Sequence, residues 1–266
     1  MMSTSATAAG SPIVVDRAGT VLEVTLNRPH VLNALDVATM NALRQLWHDE
    51  QTLAGVRCII ITGAGAAFCS GADVELLDSE RSDAAVTAAD ELAFLPGASV
   101  EVPVIAAING VCAGGGLHFV ADADIAIAAD EATFLDPHVS MGQVSALEPL
   151  SLLSVMRSDT LTRMVLLGRH ERLSAAEAQG AGLVSERVPG ERLMPRAREL
   201  ASLIARNSPA AVRGSRRVLR RFESALLHEH LEAGWAEIRR HWEHPDASEG
   251  PQAFVARREP EWTCDE

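Results

Sequence analysis

Apolar residues gather in short blocks that predict strands over Ile13 to Asp16, Val21 to Leu26, Arg57 to Thr62, Val104 to Ile108 and Ile125 to Ala128. Ala18-Gly19 joins the first two blocks as a hairpin turn. Between the second and third, Met40, Leu43, Leu46 and Trp47 recur at helical spacing behind Asp36, whose carboxylate suits a helix N-cap. Helical patterns follow at Asp83 to Leu95, Glu148 to Met156 and Asp159 to Leu167, then behind a Ser174–Glu177 capping box, with a short strand at Leu183 to Val188. From Glu191 onward the pattern is wholly helical: Leu193 to Arg206, Pro209 to Phe222, Ser224 to Trp242, and a tail helix near Phe254. Strand, helix and strand in sequence predict right-handed crossovers in an α/β core followed by a helical end. The expected division is a floppy leader over residues 1–11, a core over 12–190 and a helical region over 191–266.

The central stretch is Val102 to Ile127, where a buried strand turns through Gly114, Gly115 and Gly116 into a helix and a second strand. Glycines there let backbone N–H groups approach a bound group closely, and a helix start adds partial positive charge. Ser70-Gly71-Ala72-Asp73 is a second small-residue turn of the same kind. Gly63-Ala-Gly65-Ala-Ala-Phe68 carries only part of a dinucleotide fingerprint, with no helical period directly after it, so a dehydrogenase is a distant reading.

Composition narrows the chemistry. A formal net charge of −13 over 266 residues argues against nucleic acid or an anionic membrane as partner. The chain has no tyrosine and no lysine, which rules out Schiff-base chemistry and leaves arginine, backbone N–H groups and hydroxyls to contact phosphate. Cys58, Cys69, Cys112 and Cys264 form no C-x-x-C pair and read as core residues or free thiols. The N-terminus lacks a basic and apolar signal pattern, and no apolar run is long enough to span a bilayer, so a cytoplasmic location is expected.

These elements resemble the crotonase, or enoyl-CoA hydratase/isomerase, family. The resemblance rests on LNRPHVLNAL (26–35), ITGAGAAFCSGADVELL (61–77), PVIAAINGVCAGGGLHFVADADIAIA (103–128), ATFLDPHVSMG (132–142), AQGAGLVSERV (178–188) and AFVARREPEW (253–262). It implies a ββα superhelix with two roughly perpendicular sheets and a C-terminal helical region that makes trimers or pairs of trimers. It implies an acyl-CoA thioester as substrate, coenzyme A being part of that substrate, with no other cofactor. The thioester oxygen would sit between the backbone N–H groups of Ala72 and Gly115. Family position also places Arg28, Ala34, Leu35, Asp73, Val74, Leu76 and Arg257 (or Arg258) around CoA.

Where family hydratases carry two glutamates, this sequence has His118 and His138. Imidazoles titrate near neutrality and serve as acid or base. Asp122, four residues beyond His118, is placed to fix its tautomer. Glu148 is a further candidate catalytic carboxylate, although a first-turn acid favoured by the helix dipole accounts for it more simply. A metal held by the two histidines would need a third ligand such as Asp136 or Glu148. The expectation is thus a hydratase or isomerase acting through a thioester enolate, with His118 and His138 as its acid and base. The rival readings are thioester hydrolysis, carbon–carbon cleavage or decarboxylation in the same family, and a non-catalytic protein that only binds CoA esters.

Overall fold

The computed structural model describes residues 10–73, 86–97 and 99–263. Val74, Leu76, the start of the helix expected from Asp83, and Cys264 lie outside the described residues.

The hairpin forms as its pattern predicts. Strands β1 (Ile13–Ala18) and β2 (Val21–Leu26) pair antiparallel about Gly19, whose φ of +65° suits glycine. Strand β2 then lies parallel to β3 (Cys58–Gly63), because the Val37–His48 helix carries the chain back across the sheet. Asp36 accepts the Thr39 N–H at 2.7 Å and caps that helix. Strands β5 (Val104–Ile108), β7 (Ile125–Ala129) and β10 (Glu186–Val188) complete a six-stranded sheet in the order β1-β2-β3-β5-β7-β10.

The strands read as unbroken apolar runs because both faces of this sheet are covered. Ile59, Ile61, Val104, Ala106 and Ile108 face the main core with Leu43, Trp47, Phe68, Phe119 and Phe134. The alternate residues Cys58, Ile60, Ile105, Ala107 and Ile127 pack on Leu193, Ala197 and Ala201 of the Gly190–Ala205 helix. Burial pushes the Cys58 and Cys69 thiols up to about 12, so they behave as inert core groups.

A second sheet orders β4 (Ala67–Cys69), β6 (Val111–Ala113), β8 (Thr133–Leu135) and β9 (Leu173–Ser174) as β4-β6-β8-β9. Strand β4 follows the Gly63–Gly65 turn where a dinucleotide site would need a helix.

Three expectations change, two of helices and one of a strand. The segment expected to be one helix to Leu95 is a four-residue helix, Ala88–Glu91, with a 3-10 turn at Leu92–Phe94. The 183–188 strand shortens to β10. The two helices expected over 209–242 are one, Pro209–His241, because Glu223-Ser224 supplies neither a proline nor a glycine to break it. Arg216 anchors that helix to the core: it reaches Asp124 at 2.8 and 3.0 Å and donates to the Val100 carbonyl, while Asp124 accepts the Val104 N–H at 2.8 Å. No described helix is long and apolar enough to cross a membrane.

Candidate active site

The site forms where two neighbouring strands of the second sheet, β4 and β6, run into glycine turns. Strand β6 ends at Ala113 and is followed by Gly114, φ +47°, and the Gly116–Asp122 helix begins two residues after that glycine. Opposite it, Leu35 bridges the Ser70–Asp73 loop: its N–H donates to Gly71 O at 2.8 Å and its carbonyl accepts the Asp73 N–H at 2.9 Å. Peptide groups of successive strand residues point to opposite sides, so the N–H of Ala72 faces away from Leu35. On that side stands the glycine turn: a Cβ built on Gly115 would lie 3.7 Å from Ala72 N. Both candidate oxyanion amides therefore occupy touching backbone segments, and Ala72 is exposed while Gly71 beneath it is buried.

His118 and His138 meet at a carboxylate that the first-turn reading undervalued. Glu148, only 6% exposed, places Oε1 3.1 Å from His118 Nε2 and 3.5 Å from His138 Nε2. Asp136, fully buried behind them, lies 2.6 Å from His138 Nδ1 through Oδ1 and accepts Ser145 Oγ at 2.5 Å through Oδ2. Asp136 also accepts the His138 N–H at 3.1 Å, which seats the His138–Met141 turn. The result is a continuous chain, Ser145–Asp136–His138–Glu148–His118. Among the described residues no three such groups converge to hold a metal ion.

Burial works to raise the Glu148 pKa, but the two imidazoles and the hydrogen bond from His118 outweigh it and hold the carboxyl well below its usual range. Burial also works against a charged His138. Glu148 and Asp136 outweigh it, and the pKa rises from 6.5 to about 9. His138 is thus an imidazolium at neutral pH, with Glu148 ionised beside it. With both nitrogens of His138 committed and His118 Nε2–H directed at Glu148, one atom is left over. His118 Nδ1 is buried and has no hydrogen-bond partner among the described residues.

This pair makes a stability prediction. A histidine whose folded pKa is raised stabilises the fold fully below its unfolded pKa, and the contribution is lost as pH rises through the folded value. The window runs from about 6.5 to about 9. Denaturant unfolding should lose on the order of 2 kcal/mol across it, allowing for the 24% exposure of the His138 side chain. The curve for His138→Gln should be flatter.

Other expected contacts are redirected. Asp122 does not reach His118; it accepts the Gly97 N–H at 2.9 Å and faces Arg220 at 3.8 Å. Arg28 is already matched, donating to Ala34 O at 2.6 Å and pairing with Asp73 at 3.0 Å and Asp36 at 3.2 Å. It braces the loop that carries Leu35 and Ala72, where free phosphate-binding charge was expected. Arg257 caps the tail helix with φ +54° and is exposed, whereas Arg258 is paired with Glu249. Asp136 was missed as the partner of His138 and Ser145 as the partner of Asp136, although the two-residue spacing from Asp136 to His138 is a signal for a local side-chain turn.

A family model for enoyl-CoA hydratase/isomerase matches residues 16–265. A mevalonyl-coenzyme A hydratase of Aspergillus fumigatus is 34% identical over 250 residues, covering 91% of each chain. A probable enoyl-CoA hydratase of Mycobacterium bovis is 34% identical over 253 residues, covering 94% of this chain and 97% of the relative. Among solved structures, an enoyl-CoA hydratase/isomerase from Mycobacterium paratuberculosis is 38% identical, with a TM-score of 0.74, covering 96% of this chain and 99% of the other.

Proposed function

Because this chain belongs to the enoyl-CoA hydratase/isomerase family, we propose that it adds water across the C2–C3 double bond of a 2-enoyl-CoA thioester, or removes it in reverse, using two histidines joined by a carboxylate. The observation that carries this reading is the single Glu148 oxygen shared by His118 and His138.

The thioester oxygen accepts the N–H groups of Ala72 and Gly115, which draws electron density from C3. His118 takes a proton from water at its uncommitted Nδ1, while Glu148 holds Nε2–H and stabilises the imidazolium that forms. The water oxygen bonds to C3, and the electron pair of the double bond moves into the enolate, whose negative oxygen the two amides stabilise. His138 then gives its Nε2 proton to C2, and Asp136 keeps Nδ1–H in place. As the product leaves, His118 gives the proton on Nδ1 to solvent and His138 Nε2 takes one back, which restores both groups. One water enters and one 3-hydroxyacyl-CoA leaves.

The test is hydration in deuterium oxide. A 3-hydroxyacyl product with one carbon-bound deuterium at C2 supports the scheme. Release of free CoA would indicate hydrolysis instead, and loss of carbon dioxide a decarboxylase.

We also assign the exposed apolar stripe of the Pro209–His241 helix to a second copy of this chain in a trimer. Val218, Leu219, Phe222 and Leu226 recur at helical spacing and are 56–68% exposed. Such a stripe favours burial in an assembly. Phe222→Arg should shift the sedimenting species from trimer or hexamer toward monomer, with the circular dichroism spectrum preserved.

A further inference from the structure

A cavity of about 360 Å³ adjoins His118, a volume in the range of small-molecule sites. Its walls come from the Gly116–Asp122 helix, the Leu147–Leu152 helix and its continuation, the Pro209–His241 helix and the Leu92–Phe94 turn. The two ends differ. Leu92 and Leu231 belong to the apolar cluster around Leu147 and Trp235, beside the start of the helix that carries Glu148. The other end gathers Asp122, Arg220 and Glu223, with Ser151 and Ser154 on the wall.

Arg220 is not free charge. It donates to the Asp122 carbonyl, lies 3.2 Å from Asp124 and 3.4 Å from Glu223, and is thus matched by carboxylates. A ligand carboxylate would have to compete with all of them. Ser151 Oγ donates to Leu147 O at 2.9 Å and Ser154 Oγ to Ser151 O at 2.9 Å, so each hydroxyl oxygen retains its lone pairs. Together with the carboxylate oxygens they make the polar lining of the cavity rich in acceptors and short of donors.

Resting on the hydratase reading, we propose that the acyl group of the substrate carries a hydroxyl at the end remote from the thioester, held by the serine and carboxylate oxygens of this cavity. A hydroxyl supplies the missing donor without bringing a charge into a partly buried space. The helical rise of 1.5 Å per residue puts Asp122 about 10 Å beyond Gly115, so a chain anchored at the oxyanion amides reaches past His118 to the polar end.

The experiment compares 2-enoyl-CoA esters of equal length ending in methyl, hydroxyl, carboxylate or ammonium. The hydroxyl ester should exceed the methyl ester in kcat/KM by about tenfold or more, and Ser151→Ala should shrink that ratio. Equal or better turnover of the methyl ester overturns the proposal, as does preference for either charged end. Calorimetric titration of the saturated esters separates the two readings. If no ester gains water, the hydratase reading fails, and tighter binding of the saturated hydroxyl ester over the methyl ester still decides the cavity assignment.

Discussion

Glu148→Gln lowers kcat on a 2-enoyl-CoA by roughly two to four orders of magnitude, the usual span for losing a positioned acid–base group. Glutamine keeps the shape and removes the charge that both imidazoles share. Two consequences separate this from simple damage. The charged His138 acid is present below its pKa of about 9, so the rate of the parent enzyme falls as pH rises through that value. In the variant that alkaline limb moves downward, because the Glu148 charge that helps hold the pKa up is gone while Asp136 remains. Profiles of kcat against pH from neutral to above 9 for both proteins, with circular dichroism as the control for folding, check both.

Gly71→Ala is expected to cost about a hundredfold in kcat. Gly71 has φ +98°, a conformation that a side chain strains, and its added Cβ would meet Ala113 O at 3.0 Å and Gly115 N at 3.3 Å. Relief of that contact pushes the Ala72 and Gly115 segments apart, and both proposed oxyanion donors lose their aim. The loss should fall mainly on kcat, since the donors matter most when the thioester oxygen bears negative charge. Steady-state kinetics on one enoyl ester, beside titration of a saturated ester, distinguishes this from lost binding.

The sheet was legible in the sequence because strands covered on both faces leave unbroken apolar runs such as Cys58-Ile59-Ile60-Ile61. The second sheet was implied by the resemblance alone and not by the apolar pattern, since β4, β6 and β8 hold three residues each, too few to display a period. The two histidines could be singled out because they fall where the resembled family carries glutamates. Their connection could not, because it depends on how the chain returns after Gly142. That residue ends the His138–Met141 turn at φ +64°, and the following helix brings Glu148 back over both rings. Local spacing pointed instead to Asp122 as the partner of His118. The helix ends at Asp122, and the Gly97 amide and Arg220 claim its carboxylate.

The most direct measurement incubates the purified protein with a panel of 2-enoyl-CoA esters and follows each by chromatography and mass spectrometry, beside His118→Ala and His138→Ala. Catalysis by the two histidines predicts the gain of one water on at least one ester, reduced by roughly a hundredfold or more in each variant. Unchanged esters throughout the panel, or hydration that survives both substitutions, would contradict it.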